Sequence, residues 1–181
     1  MIDHATEIVK ELILKDENIN IAVDMTAGNG NDSKFILENT KAKKVFAFDI
    51  QELAKKNTLA LIGDEPKFNF ILDSHANIDK YIDKKVDLFI FNLGYLPRGD
   101  KDITTNWKST ISAIKKSLEL LSPRGKIIIT IYPGHPAGKI ESLKINEFLK
   151  DLDYKKYTVL KLAFTNKINN PPHVMLIGHK V

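Results

Sequence analysis

The sequence predicts an α/β protein: a mostly parallel β-sheet with an antiparallel last strand and helices on both faces. Three observations predict it. Short, almost continuous apolar runs alternate with amphipathic stretches along most of the chain, the pattern of parallel strands covered by helices on both sides. The last two apolar runs, YTVLKLAFT and HVMLIGHKV, are joined by NKINNPP with no helix between them, which implies an antiparallel end to the sheet. The first five strand-like runs end at Asp24, Asp49, Asp73, Asn92 and Tyr132, and open α/β sheets bind ligands at such carboxyl ends.

The elements follow in order. Ile8, Leu12 and Ile13 share one face of an N-terminal helix. NIAVDM (20–25) reads as a buried strand, and DSKFILENT starts a helix with Asp32 or Ser33 as its cap. KVFAFDI (44–50) is a second strand, ELAKKNTLALI a helix, and KFNFILD (67–73) a third strand. VDLFIFNLGYLP (86–97) is a fourth strand running into a loop. Residues 105–121 form a long helix that ends near SPRG, with Trp107 and the stripe Ile111, Ile114 and Leu118 packing inward. KIIITIY (126–132) is the fifth strand and GKIESLKINEFLKDL the last helix. Pro171 and Pro172 lack ladder N–H groups, so they fall in the turn between the final strands or at an edge.

The length suits one domain spanning 1–181. There is no cysteine, which excludes disulfides and Cys-ligated zinc and makes a reducing cytoplasm the default. The amphipathic start MIDHATEIVKEL lacks the apolar core of a signal peptide, and no run is long enough to span a membrane. The formal charge of +4 permits a nucleic-acid partner without demanding one. No histidine pair has metal-ligand spacing, so no metal is expected.

DMTAGNGND (24–32) carries the first chemistry. Gly28 and Gly30 allow a tight turn and close approach of backbone to a ligand. No Gly-Lys-Ser/Thr follows, so nothing cradles a triphosphate. Ser33 stands where the dinucleotide fingerprint has its third glycine. Asp24 would repel a pyrophosphate but suits an ammonium or sulfonium. Asp49 is placed for the two hydroxyls of a ribose, and Asp73 for an adenine amino group. Ribose, adenine, a cationic amino acid and no phosphate together describe S-adenosylmethionine.

The fourth strand ends in FNLGYLPRGDK (91–101). Asn92-Leu93-Gly94-Tyr95 resembles the Asn/Asp-Pro-Pro-Tyr/Phe motif of methyltransferases acting on amino nitrogens. Asn92 and the Leu93 carbonyl can accept from a nitrogen and aim its lone pair, and Tyr95 can stack on an extruded base. An aliphatic amine must first lose a proton, to Asp100, His135 or water. Arg98, Lys101, Lys108 and Lys139 are candidates for phosphate contacts, and Tyr132 for the acceptor. His75 packs near adenine or bonds to a loop.

These segments, with LDSHANIDKYI, IYPGHPAGKIE and LAFTNKINNPP, resemble the small bacterial rRNA methylase family of the YtqB or MnmM type over nearly the whole chain. The resemblance implies a class I S-adenosylmethionine methyltransferase (Rossmann-like) fold, often a homodimer, and a tRNA substrate gripped at its anticodon arm. The implied reaction methylates the 5-aminomethyl group of (2-thio)uridine at the wobble position, giving 5-methylaminomethyl-(2-thio)uridine. It assigns Asp24, Thr26, Gly28, Asn29, Gly30 and Asp32 to the cofactor loop, Asp49 and Gln51 to the ribose and its surroundings, and Asp73 and His75 to the adenine side. Asn92, Leu93, Gly94 and Tyr95 fall at the transfer site. Ser74 and Pro133 depart from the family's expected Gly and His, which leaves His135 without a paired histidine. Competing readings are a methyltransferase acting on rRNA or a small-molecule amine, and a non-enzymatic RNA-binding module that keeps the fold.

Overall fold

The computed structural model describes residues 1–94 and 105–180. Seven strands form one sheet in the order β3-β2-β1-β4-β5-β7-β6. β1 (Ile21–Asp24), β2 (Lys44–Asp49), β3 (Phe68–Leu72), β4 (Val86–Asn92) and β5 (Leu121–Ile131) are mutually parallel where they pair. β7 (His173–His179) runs antiparallel to β5 and to β6 (Tyr157–Leu162). Chain order reverses between β1 and β4, the switch at which a ligand crevice opens in this class of sheet.

Period-two alternation sends side chains to two cores. Val23, Phe89, Phe91, Ile127 and Ile129 face α4 (Trp107–Leu120) and α5 (Pro136–Lys150), meeting Ile114, Leu118 and Ile145. Ala22, Leu88, Ile90 and Ile128 face α1 (Ala5–Leu14) and α2 (Asn31–Asn39), meeting Val9, Ile13 and Ile36. α3 (Glu52–Ile62) lies beside α2, and a 3-10 helix over His75–Lys80 fills the crossover from β3 to β4. Phe89 and Phe91 are essentially fully buried, so truncating either to alanine costs about 3–5 kcal/mol. The stripe Ile111, Ile114 and Leu118 packs as expected.

Three expectations are corrected. Neither Asp32 nor Ser33 caps α2: Gly30 does, at φ 82°, because the turn before the helix needs a left-handed residue there. A Cβ on Gly30 would stand 2.9 Å from Thr58 Cγ2 of α3, so the glycine also allows the loop to press on that helix. α4 begins at Trp107, with the Asn106 side chain accepting from Lys108 N at 2.9 Å. The helix ends at Leu120, next to SPRG as expected, but SPRG itself lies in the fifth strand, which starts ahead of the expected Lys126. β5 begins at Leu121 opposite Val86, and Ser122–Gly125 bulge before pairing resumes at Leu88 and Lys126. Asp87 holds that bulge, accepting from Ser122 Oγ at 2.7 Å and from the Asn20 and Ile21 N–H groups at 2.9 and 3.1 Å.

Candidate active site

A cavity of about 840 Å³ lies at the carboxyl ends of the parallel strands, a size typical of small-molecule sites. Asp24, Asp49 and Asn92 are the last residues of β1, β2 and β4, while Asp73 and Tyr132 follow β3 and β5 by one. The five strand ends predicted from sequence therefore converge. Among the described residues, three aspartates line the cavity (Asp32, Asp49, Asp73) and no lysine or arginine does. Met25, Phe48, Ile50 and Leu93 supply apolar wall. Such a wall rejects a polyphosphate and accepts a cation with apolar parts.

The glycine loop is held from behind by Asp24. This carboxylate is 1% exposed and accepts from Thr26 N at 3.1 Å and Ser33 Oγ at 2.7 Å. It meets the cavity only through the loop it supports, and Asp32 takes the place at the wall that the sequence suggested for Asp24. Burial, with the Asp32 charge beside it, pushes the Asp24 carboxyl up to about 7. Burial also raises Asp32, opposed by a hydrogen bond from Asn92 and the charge of Lys10. Both groups favour a ligand that brings positive charge.

Asp49 joins two segments. Its Oδ2 accepts from Gly28 N and its Oδ1 from Gln51 N, each at 2.9 Å. One acceptor direction on each oxygen remains, which suits a pair of vicinal hydroxyls. Asp73 accepts from Ser74 N at 2.7 Å, Asn77 Nδ2 at 3.0 Å and the Tyr81 hydroxyl at 2.8 Å. Those bonds, Asn77 first, hold its carboxyl below the usual range, so it is an ionised acceptor with room for one further donor. His75 Nδ1 lies 2.9 Å from Met25 O, and its Nε2 is buried without a hydrogen-bond partner. Burial lowers its pKa, so the imidazole is neutral, bonds to the loop and lines the cavity beside Asp73. Asn29 and Gln51 line the wall too, and Asn29 Oδ1 accepts from Asn57 Nδ2 at 2.9 Å. Gly30 lies behind it, at the helix cap.

At β4, Asn92 is fixed from three sides. Its backbone N–H donates to Thr26 Oγ1 at 2.7 Å, its Nδ2 to Asp32 Oδ2 at 2.5 Å, and its Oδ1 accepts from the Tyr132 hydroxyl at 3.1 Å. Burial, then Asp32, raises the Tyr132 pKa, which keeps that phenol a donor. Leu93 and Gly94 line the cavity next to it. Tyr95, Arg98, Asp100 and Lys101 lie outside the described residues. Lys108 sits over the Trp107 ring at 5.6 Å, and Lys139 is an exposed residue of α5's first turn; neither reaches the cavity wall. His135 caps α5, its Nδ1 accepting from Gly138 N at 3.1 Å. In that tautomer Nε2 already carries the ring proton, so His135 takes a further proton only at Nδ1 and only by releasing the Gly138 N–H.

Other contributors carry no sequence signal of function. Gly94 and Thr105 bond to each other twice, Gly94 N to Thr105 Oγ1 at 3.0 Å and Thr105 N to Gly94 O at 2.9 Å. The Thr105 hydroxyl donates to buried Glu141 of α5 at 2.7 Å, and Thr110 does so at 3.1 Å. Thr6 of α1, Asn106 and Ser109 of the α4 start, and Asn169–Pro172 of the β6–β7 turn complete the wall. Asn106 shows only a helix cap in the sequence, and Asn169–Pro172 only a turn. Among the described residues, no group of three or more His, Asp or Glu is placed to hold a metal, and no helix is long and apolar enough to cross a membrane.

This arrangement has close counterparts among known proteins. A crystal structure from Clostridium thermocellum, described as a "putative rRNA-methylase", superposes with a TM-score of 0.94 at 38% identity, covering 99% of this chain and 100% of that one. A "putative methyltransferase" from Streptococcus mutans, solved in complex with SAH, gives 0.87 at 36% identity, covering 99% and 100%. These neighbours share the Rossmann-like sheet of S-adenosylmethionine methyltransferases. A chloroplastic tRNA (mnm(5)s(2)U34)-methyltransferase from Arabidopsis thaliana is 30% identical over 184 residues; the match covers 90% of this chain but only 65% of that protein. The family model described as "Putative rRNA methylase" matches residues 45–178, from β2 through β7. The chain therefore belongs to that rRNA methylase family.

Proposed function

We propose that the protein is an S-adenosylmethionine-dependent N-methyltransferase in which one domain, residues 1–181, acts on tRNA. The acceptor is the 5-aminomethyl group of (2-thio)uridine at the wobble position, and the product is 5-methylaminomethyl-(2-thio)uridine. One observation carries the donor half: a cavity walled by Asp32, Asp49 and Asp73 without lysine or arginine among the described residues, under a glycine loop. The Streptococcus mutans neighbour solved with SAH agrees with it. The acceptor half rests on the Asn92 amide at the end of β4 and on the activity for which the Arabidopsis relative is named.

The donor supplies a methyl group on a positively charged sulfur; its transfer breaks the S–C bond, forms the N–C bond and leaves a neutral thioether. Everything else falls to the chain. Asp49 holds the ribose hydroxyls, Asp73 and His75 the adenine side, and Asp32 with the loop backbone the amino-acid end. Asn92, locked by Thr26, Asp32 and Tyr132, presents the remaining acceptor direction of Oδ1 to an N–H of the amine and so aims the nitrogen lone pair. With no covalent step on the protein, alignment supplies much of the rate. The amine proton leaves to Asp100, to water, or to His135 at Nδ1 if that atom lets go of the Gly138 N–H. Tyr95, Arg98 and Lys101 belong to the acceptor side of this reading, with Gly94 and Tyr132. The reading further includes a cytoplasmic homodimer, for which the sheet edge at β6, with Leu160 exposed, offers a surface.

Nucleoside mass analysis of tRNA from cells with and without the protein tests this. Loss of the 5-methylaminomethyl nucleoside with build-up of its 5-aminomethyl precursor is expected; unchanged tRNA overturns the acceptor. The family description and the Clostridium neighbour name rRNA, so the same measurement on rRNA decides the second reading. Asp49→Ala separates both from a non-enzymatic module: S-adenosylmethionine binding should be lost, and unchanged affinity would favour the module.

A further inference from the structure

The β6–β7 turn, Asn169-Asn170-Pro171-Pro172, lies apart from the residues given above to the donor, yet all four line the cavity. The sheet order explains where it stands. Asp73 and Asp49 mark the nucleoside end of the donor over β3 and β2, and Asn92 marks the transfer point at β4. What remains of the cavity lies over β5 and β7. β6 ends at that same edge, since Leu162 pairs with Val174, and Val174 with Thr130 near the end of β5. The turn therefore hangs over the half of the cavity from which an acceptor approaches Asn92.

Its side chains are set for recognition. Asn169 and Asn170 both take left-handed backbone, at φ 63° and 49°, a conformation that non-glycine residues adopt rarely and asparagine most readily. Neither amide is hydrogen-bonded to a described residue. The turn is tethered: Lys167 Nζ donates to the Asp3 carbonyl of the N-terminal segment and lies 4.1 Å from the Phe164 ring centre. Pro171 and Pro172 fix the backbone that follows and offer apolar rings.

We infer that Asn169 and Asn170 read the Watson–Crick edge of the acceptor base, selecting a uridine-type edge over a cytidine-type one. An asparagine amide offers one acceptor and two donors. Uridine presents an N3–H donor beside the O4 acceptor, whereas cytidine reverses both functions. Unstacked single-stranded bases are read in this way, by hydrogen bonds to that edge with flat apolar or aromatic support. The inference rests on the proposed methylation of an aminomethyl pyrimidine and assigns the groups that choose the base.

Asn169→Gly, Asn170→Gly and the double variant test it, because glycine keeps the left-handed backbone while removing the amide. Two anticodon stem-loops serve as probes, one carrying 5-aminomethyluridine and the other 5-aminomethylcytidine at the wobble position. The wild-type protein should methylate the first and discriminate against the second. In the double variant, kcat/KM on the uridine probe should fall roughly tenfold or more, the value of one good bidentate contact. The uridine-to-cytidine preference should collapse while SAH affinity stays unchanged. A retained preference, or loss of SAH affinity in step with activity, overturns the inference. A wild-type protein silent on both probes removes the proposed reaction and the inference with it, whereas an active wild type with unaffected variants removes the inference alone.

Discussion

The Asn92 amide donates to the Asp32 carboxylate at 2.5 Å, tying the end of β4 to the first turn of α2 across the mouth of the cavity. Asn92→Ala cuts this tie and removes the acceptor that aims the amine. We expect kcat to fall about 100-fold, the scale of a misplaced reactant, with SAH affinity nearly unchanged because Asp49, Asp73 and the glycine loop remain. Steady-state kinetics with SAH calorimetry check the split; a normal kcat would rule out the aiming role.

Asp24 gives stability a pH dependence of definite sign. Its folded-state pKa, about 7, lies above the ordinary 3.8. Between those values the folded protein keeps a proton that the unfolded chain has lost. This group's contribution therefore declines as pH rises from about 4 to about 7 and is level above that. Asp24→Asn removes the slope. The variant's Tm, relative to wild type, should be higher at about pH 8 than at about pH 5; thermal scans at the two values decide it, and equal differences would contradict the burial of an ionisable Asp24.

Gly138 lies in the first turn of α5, where a Cβ would stand 2.1 Å from the Tyr132 carbonyl oxygen and 2.7 Å from His135 Nε2. Gly138→Ala must push α5 away from the residue that bonds Asn92. A loss of about 1–3 kcal/mol is expected, as for other overpacked sites, together with reduced turnover. Gly134→Ala is the control, since nothing lies within 4 Å of its added carbon. Denaturant titration of both variants checks the contrast.

Glu141 is 4% exposed, and its carboxylate collects the hydroxyls of Thr105 and Thr110. Burial raises its pKa, those two hydrogen bonds oppose the rise, and the nearby His135 charge opposes it further. Glu141→Ala frees Thr105, and with it the pairing to Gly94 beside the transfer point. Turnover should drop about tenfold while SAH affinity holds, and Glu141→Gln, which can still accept one hydroxyl, should restore part of it. A loss of SAH affinity equal to the loss of kcat would show general misfolding instead.

Much of this was legible because a parallel sheet writes itself as apolar runs with polar residues at their ends. Asp49 and Asn92 sit where that rule puts them. The rule cannot tell which way an end residue faces, so Asp24 and Asp32 exchanged places: Asp24 turns in to hold Ser33, and Asp32 takes the wall. The SPRG bulge escaped because Pro and Gly normally stop a strand, and only pairing with Val86 and the Asp87 bonds keep it in the sheet. Glu141 escaped because a lone glutamate on an amphipathic helix reads as solvated; its burial depends on threonines far away in sequence. Asn169 and Asn170 looked like turn residues, which they are, and their position at the cavity follows only from the antiparallel return of β6 and β7.

The double pairing of Gly94 with Thr105 closes the neck of the segment between them. The end of β4 is thereby fixed to the residue that leads into α4, and the same Thr105 hydroxyl reaches Glu141 of α5. One hydroxyl thus serves three elements, and losing it would loosen the end of β4, the approach to α4 and the buried carboxylate of α5 together.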